Sequence, residues 1–348
     1  MSGGVDSSVA ALALLTAGHE VVGVTMRLWG GDSDTGCCSI ADVDDARRVA
    51  QQLDIDHLVF NFTDDFDRHV VEPYVAAHAS LVTPNPCIEC NRHLKFARLA
   101  ERADLLGFDA VATGHHARVV ERGGQRYVAR GADAAKDQSY VVHMLTQRDL
   151  ARTLFPVGHM TKAEVRERAA AAGLRTATKP DSQDVCFITS TAGGGREQFL
   201  GARIPFHRAE VVDRRRARLG EVEAVELVTI GQRRGIGLPG GGPKQYVVDV
   251  EPPTGDAPAA VVVGDDGDLV DGVLRVADVV WAAGPVEADV LVQVSAHGAA
   301  HAARCTVQAD GTIELRWADP RRRVAPGQSV VVYDTTDEIV LGGGIARR

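Results

Sequence analysis

Two periodicities share this chain, and the change from one to the other falls near residue 195. Before it, apolar residues recur every three to four positions in stretches separated by short apolar runs. The pattern predicts helices over 7–17, 42–53, 64–79, 91–106 and 162–172, with Thr161 as N-cap of the last. Strands are predicted over 21–28, 58–62 and 110–113. Strands alternating with helices imply an α/β fold with a parallel sheet covered on both faces. After residue 195, Val, Gly, Asp and Pro dominate, and short alternating runs such as 246–250 and 330–333 lie between turn signals. This half reads as two small β domains with a break near 265–271. The expected division is 1–195, 196–266 and 267–348, with Gly193, Gly194 and Gly195 as a hinge or surface loop. No internal repeat is visible.

Composition narrows the class. The 348 residues suit two or three domains. With 45% hydrophobic and 24% charged residues, the composition is that of a globular protein. No apolar run approaches the roughly 18 residues a membrane span needs, and no signal peptide is visible, so no membrane association and a cytoplasmic location are expected. The net charge of -9 argues against a protein that grips nucleic acid everywhere, yet leaves room for a local basic face. Arginines cluster at Arg203, Arg208, Arg214, Arg215, Arg216, Arg218, Arg233 and Arg234, and again at Arg321, Arg322 and Arg323. Either cluster equally suits an ordinary solvated surface.

The first chemical signal is the run Ser2-Gly3-Gly4-Val5-Asp6-Ser7-Ser8 at the start of a helix. Two glycines let backbone approach an anion, and a helix N-terminus adds free N–H groups and about half a positive charge. The run is not a Walker loop, because no Gly-Lys-Ser/Thr follows. Such a loop normally follows a buried strand, which here would lie upstream of Met1, so an upstream start or a truncated record is expected.

The second signal is cysteine. The six cysteines are Cys37, Cys38, Cys87, Cys90, Cys186 and Cys305, and in a cytosolic chain of this size no structural disulfide framework is expected of them. Cys87 and Cys90 form Cys-x-x-Cys after Thr83-Pro84-Asn85-Pro86, which suggests metal or redox chemistry. Cys90 and Asn91 are expected near a helix start, where the dipole favours a thiolate. Lowering a thiol's pKa by one unit costs about 1.4 kcal/mol, within reach of a helix terminus and a nearby cation. A metal knuckle is the alternative, but it needs further ligands and no second Cys-x-x-Cys exists. Cys186 ends a polar run from Lys179 and precedes apolar Phe187 and Ile188, as in a loop entering a strand. Cys305 reads as a core residue, and Cys37 and Cys38 as small packing residues. Among His115, His116 and His143, His115 has the better claim to a site because it adjoins Gly114. The residues alone do not choose between an enzyme that takes a phosphorylated substrate at the loop and a metal-stabilised binding module without catalysis.

The loop 2–8 resembles that of the ATP pyrophosphatase superfamily, which transfers AMP to an oxygen. Further blocks resemble the tRNA-specific 2-thiouridylase family over nearly the whole chain. They are Gly36 to Ser39, Thr83 to Asn91, Ala112 to His115, Lys136 to Tyr140, Lys179 to Ile188, Thr229 to Gly235 and Pro326 to Gln328. The resemblance implies an adenine nucleotide alpha-hydrolase-like first domain that uses ATP with Mg2+. It implies adenylation of O2 of the wobble uridine, position 34, of lysine, glutamate and glutamine tRNAs. Cys186 would receive sulfur as a persulfide from a cysteine desulfurase or sulfur-relay protein and deliver it to C2. Cys90 would then form a disulfide with Cys186, giving 2-thiouridine, AMP and pyrophosphate. By the same resemblance Met1, Ser2, Gly3, Gly4, Val5, Asp6, Ser7, Ser8, Met26 and Gly114 bind ATP. Asn85, Pro86 and Cys87 touch the flipped base, and Lys136, Asp137 and Gln138 contact the tRNA. The chain departs from the pattern at Cys87, where many relatives carry an acid or base Asp. Cys87, Cys90 and Cys186 are therefore also candidate ligands of an iron–sulfur cluster. An Arg-Tyr pair of the last domain falls near Ser295 and Ala296 here.

Overall fold

The computed structural model describes residues 1–29, 40–181, 187–188, 195–238, 242–255 and 258–348. The first part is α/β. Helix α1 (Val5–Thr16) precedes strand β1 (Gly23–Arg27), helix α2 (Ile40–Gln52) and strand β2 (His57–Asn61). β1 and β2 run parallel, with Gly23 opposite His57 and Arg27 opposite Asn61. A second parallel pair joins β3 (Val111–Ala112) to β6 (Thr153–Leu154). Met1 lies against β1, where Thr25 Oγ1 donates to its carbonyl at 2.7 Å and its ammonium donates to the Val24 carbonyl. Burial pushes that ammonium down to about 5. α1 packs on helix Lys162–Ala171 through Val5, Val9, Ala10, Val165 and Ala169. Thr161 caps that helix in a reciprocal box with Glu164.

Three local features depart from the periodicity. The segment expected as one helix over 64–79 contains a π turn, Asp67–Val71, between Thr63–Phe66 and Glu72–Ala79. The helix expected from residue 91 begins at Pro86, because Asn85 accepts the Cys87 N–H at 3.1 Å and Pro86 takes the first helical position. A π segment, Asn91–Arg98, follows. An antiparallel hairpin, β4 (Ala117–Arg122) with β5 (Gln125–Arg130), was not expected. Gly123 and Gly124 turn it with φ of 61° and 76°, as a two-residue hairpin requires.

The second part is mainly β, with a helix at its entrance and short 3-10 helices at Val225–Leu227 and Gly267–Leu269 among the described residues. Gly195, expected in a hinge or loop, opens helix Gly195–Gly201, while Gly193 and Gly194 lie outside the described residues. A four-stranded sheet follows in the order β8 (Arg218–Val222), β7 (Ala209–Asp213), β10 (Ala260–Gly264), β9 (Tyr246–Glu251). The last unit is a closed six-stranded barrel, β11 (Val270–Trp281), β14 (Ile313–Arg322), β13 (His301–Val307), β12 (Asp289–Gln293), β15 (Ser329–Tyr333) and β16 (Val340–Ala346). Closure needs small residues on β16. A Cβ on Gly342 would stand 2.7 Å from Trp281, and one on Gly344 would stand 2.4 Å from the Ala277 carbonyl. Cys305 is buried in this barrel, which raises its thiol to about 11 and fits the packing role expected of it.

The basic runs carry their own counter-ions. Arg208 meets Glu223 at 2.9 Å, Arg216 meets Glu251 at 2.7 Å and Arg218 meets Glu221 at 2.8 Å. Arg214 pairs with Asp268, and Arg322 with Asp266. These exposed pairs stabilise little, about 0–1 kcal/mol each, but they offset the positive charge that the sequence concentrates.

Candidate active site

The phosphate-type loop is built by local geometry. Gly4 occupies the N-cap of α1 with extended backbone and no side chain in the way. Gly3 holds φ +71°, and a Cβ there would stand 2.4 Å from the Asp42 carbonyl. Ser7 and Ser8 both donate their hydroxyls to the Gly4 carbonyl, at 3.1 and 2.8 Å, which fixes the turn. Ser2 donates its N–H to Ser7 Oγ at 3.1 Å. Val5 is buried and anchors the helix. The first-turn N–H groups of such a helix have no partner in the helix itself and suit an anion. Gly114 follows β3 and abuts this loop: a Cβ there would lie 2.7 Å from the Ser7 nitrogen and 2.8 Å from the Asp6 carbonyl carbon. Met26, on β1 opposite Phe60, is half-buried beside the same sheet end.

Asp6 is the charged centre. His116 Nε2 donates to Asp6 Oδ1 at 3.0 Å, and Lys162 Nζ reaches both carboxylate oxygens at 2.7 and 2.8 Å. Burial alone would raise the Asp6 pKa, but these two partners bring it below the ordinary carboxylate value. Lys162 also meets Asp181 at 2.8 Å, and Asp181 in turn holds Lys136 at 2.8 Å and Arg166 at 3.0 Å. Burial opposes ionisation of Asp181 as well, yet Lys136 and Lys162 carry it down to about 2. Lys179 clamps Asp42 and Asp45 at 2.7 and 2.8 Å, so residues 179–181 are tied to the loop's surroundings.

The histidine expectation is reversed by this geometry. His115 lies buried between Phe96 and Phe155 and bonds Thr113 at 2.7 Å, and burial holds its pKa well below the ordinary value. His116 is the one that reaches Asp6. Gln138 grips it at both ends: Oε1 accepts the His116 N–H at 2.8 Å, and the Gln138 N–H donates to the His116 carbonyl at 2.9 Å. Asp137 turns inward, accepting from Gly131 N–H at 2.7 Å, Ser139 Oγ at 2.7 Å and Arg130 at 2.8 Å. Lys136 is the exposed member of the three.

Lys162, Asp181 and Gln138 in these roles were not legible as a site, although Lys162 left a signal. A lysine at the first position of a capped helix opposes the helix dipole, so something other than helix stability keeps it there.

The cysteine helix, Pro86–Cys90, lies at the other end. Cys87 is exposed near the helix start and Cys90 is buried one turn later, so the dipole acts more on Cys87 than on Cys90. Cys90 shares a core with Phe66, Tyr74, Leu94 and Phe187. Cys186, Cys37 and Cys38 lie outside the described residues. Both β domains grip the loop that enters this helix. Thr83 donates its N–H to the Pro326 carbonyl at 3.1 Å, and Gln328 donates to the Thr83 carbonyl at 2.6 Å. Thr83 Oγ1 stands 3.2 Å from Thr229 Oγ1 of the middle domain. Gly327, at φ +89°, has no room for a Cβ, which would lie 2.3 Å from Val82.

Among the described residues no group of three or more His, Cys, Asp or Glu side chains suits a metal ion, and no helix is long and apolar enough to cross a membrane. One carboxylate at a helix N-terminus does suit a magnesium ion carried mainly by phosphate oxygens.

Fold and site define an α/β nucleotide-binding protein with two appended β domains. Residues 1–190 match the family described as tRNA methyl transferase HUP domain, 197–265 its PRC-barrel domain, and 272–346 the aminomethyltransferase beta-barrel domain. A tRNA-specific 2-thiouridylase of Herpetosiphon aurantiacus is 43% identical, over 99% of this chain and 96% of its own length. Those of Chloroflexus aurantiacus and Rhodococcus jostii are each 45% identical, covering 100% and 99% of this chain and 97% and 95% of their own. The chain belongs to the tRNA-specific 2-thiouridylase family, whose use of the phosphate loop implies ATP and Mg2+.

Proposed function

We propose that this chain is a cytoplasmic tRNA-uridine 2-sulfurtransferase that converts the wobble uridine to 2-thiouridine. The matched domains carry the words methyl transferase, but a phosphate loop and a cysteine helix fit adenylation and sulfur transfer better. ATP binds with its phosphates at Met1 to Ser8 and its nucleoside toward Met26 and Gly114. Uridine O2 attacks the α-phosphorus, the bond to the β-phosphate breaks, and pyrophosphate leaves with the electron pair. The terminal sulfur of a Cys186 persulfide adds to C2. The Cys90 thiolate attacks Cys186 Sγ, breaking the S–S bond and forming the Cys90–Cys186 disulfide. Sulfur stays on C2 and AMP departs with O2. The disulfide must be reduced, and the persulfide reloaded by a cysteine desulfurase or relay protein, before the next turnover.

The observation that carries this reading is the place of Phe187. It follows Cys186 directly in the chain, is 2% exposed, and packs in the same core as Cys90. Asn85, Pro86 and Cys87 present the base, and Lys136 leads the contact of 136–138 with lysine, glutamate and glutamine tRNAs. Residues 1–195, 196–266 and 267–348 act as the three units. The second reading takes Cys87, Cys90 and Cys186 as ligands of an iron–sulfur cluster, and what supports it is the spacing of Cys87 and Cys90, three apart on one helix. The persulfide is preferred because Cys90 is buried among apolar and aromatic side chains.

The test is nucleoside analysis of tRNA from cells carrying the wild-type gene or Cys186→Ser. Loss of 2-thiouridine is expected in the variant, with ATP cleavage within a few fold of wild type. Persistent 2-thiouridine would exclude the persulfide role. Iron and sulfide bound in proportion after anaerobic reconstitution, and lost in Cys87→Ala, would favour the cluster instead.

A further inference from the structure

Lys162 stands where no motif of the phosphate loop would put it. Its helix starts 156 residues after Asp6, yet its ammonium touches both Asp6 oxygens at 2.7 and 2.8 Å. The main chain beneath it is pinned, because Asp133 accepts the Lys162 N–H at 2.9 Å and Thr161 caps the helix. Only 12% of the side chain is exposed, at the N-terminal end of α1.

The partners of Lys162 do not depend on it alone. Asp6 keeps His116 at 3.0 Å if the lysine moves, and Asp181 keeps Lys136 at 2.8 Å and Arg166 at 3.0 Å. Both carboxylates therefore have a second donor, and the ammonium can leave either without stranding a buried charge. A purely structural bridge would not need such redundancy. A polyphosphate at the loop would in addition sit beside two carboxylates, and the lysine, together with a magnesium ion carried by the phosphates, would offset that repulsion. A lysine on a flexible stem, acting as a point charge, suits that task.

We infer that Lys162 is a phosphate-binding residue of the adenylation step, turning from Asp6 and Asp181 to the phosphates that leave as pyrophosphate. The inference rests on the phosphate site proposed above. The ammonium donates hydrogen bonds to phosphate oxygens and stays protonated. It offsets the charge that develops on the leaving group as the bond from the α-phosphorus breaks. Asp181 is its resting counter-ion, with Lys136 and Arg166 holding that carboxylate meanwhile.

The experiment follows pyrophosphate release from ATP with transcribed tRNA, and inhibition by added pyrophosphate, in the full-length protein. Lys162→Met is expected to lower kcat/KM for ATP by about 100-fold or more, the scale of losing one charge-stabilising donor. Pyrophosphate inhibition should weaken at least about tenfold, and Lys162→Arg should recover part of both because it keeps the charge. The KM for tRNA should stay within about threefold, since the lysine is placed on phosphate alone. Equal losses of pyrophosphate inhibition and of tRNA affinity in Lys162→Met would overturn the assignment in favour of a structural bridge. So would unchanged pyrophosphate inhibition in Lys162→Met. Gly3→Val separates this inference from the reading beneath it. If Gly3→Val loses ATP affinity and Lys162→Met does not, only the role of Lys162 falls. If neither loses it, the phosphate site itself is misplaced. Melting curves identify a variant that has failed to fold, in which case Lys162→Arg and Lys162→Gln carry the comparison.

Discussion

The two ends of the site are held by different physics. The phosphate end is made within the first domain, by charges that converge on Asp6 and Asp181. The sulfur end is made between domains: Thr83, just before the cysteine helix, is gripped by Pro326 and Gln328 of the last domain and meets Thr229 of the middle one. The barrel is itself fixed to the first domain by buried polar contacts. Tyr140 donates to the Ser329 carbonyl at 2.8 Å, and Arg130 lies 3.7 Å over the Tyr333 ring while reaching Asp137, Asp337 and Gln293. The contrast gives the β domains a task in the site itself, since their docking sets the position of the cysteine helix. It also means that the two chemical steps can be damaged separately.

The strongest way to sharpen the contrast is at Gly114. A methyl group there would press on the Ser7 nitrogen and the Asp6 carbonyl carbon, both backbone atoms that cannot step aside. Gly114→Ala should therefore displace the phosphate loop and lower kcat/KM for ATP by about 100-fold, the usual scale for a misplacement near 1 Å. The alkylation rate of exposed Cys87 should not change, because the cysteine helix is held from the other side. Altered alkylation alongside lost ATP cleavage would show that the two ends are not separable.

The opposite damage comes from the last domain. Gln328→Ala removes a hydrogen bond of 2.6 Å to the Thr83 carbonyl while the Thr83 N–H keeps its bond to Pro326. A stability loss of about 1 kcal/mol is expected. Thiolation of tRNA should drop by about tenfold with pyrophosphate release within about twofold, because only the sulfur end is loosened. Parallel loss of both steps would break the distinction.

What could be read from the sequence follows the same division. The phosphate loop was legible because Ser2 to Ser8 are contiguous and glycine spacing carries the backbone requirement. Its support was not: His116, Lys162 and Asp181 come from three distant segments, and only folding brings them to one carboxylate. The inward bonding of Asp137 and Gln138 was hidden for another reason, since Lys-Asp-Gln looks like any polar turn. A helical period announces a helix but does not reveal the π turns at Asp67–Val71 and Asn91–Arg98, which shift register without changing composition. The helix start at Pro86 was readable from Asn85-Pro86 as cap and first residue, and the apolar pattern beginning at Leu94 masked it. Gly123-Gly124 was likewise a readable hairpin turn inside a region taken as α/β. The clamp on Thr83 had sequence markers in Thr229 and Pro326 to Gln328, but nothing local says that such distant blocks meet.

The smallest expected effect concerns acid. His143 is buried where β16 crosses the first domain: its Nδ1 donates to the Tyr140 carbonyl at 2.8 Å, and Gly343 lies against its ring. Burial, only partly offset by that hydrogen bond, holds its pKa down to about 4. The unfolded chain binds the proton first, near its ordinary pKa of about 6.5, so stability is present above that pH and is lost as pH falls toward 4. At pH 5 the loss from this one group is about 2 kcal/mol. Asp6 and Asp181 behave differently: partners hold their carboxylates low, so the stability they add is full above the ordinary carboxylate range, begins to fall where the unfolded carboxylates protonate, at about 4, and is lost as pH drops to the folded values. Mild acid should therefore loosen the barrel's docking through His143, while the buried His115 and the Met1 ammonium add an acid response of their own beside the phosphate end. Hydrogen exchange at pH 7.5 and pH 5 checks this, with protection over 139–145 and 340–346 expected to fall on the acid side in the wild type and to fall less in His143→Gln. His143→Gln should reduce the difference in melting temperature between the two pH values. An acid response over 139–145 and 340–346 that is the same in wild type and variant would mean that His143 does not govern the docking of the barrel.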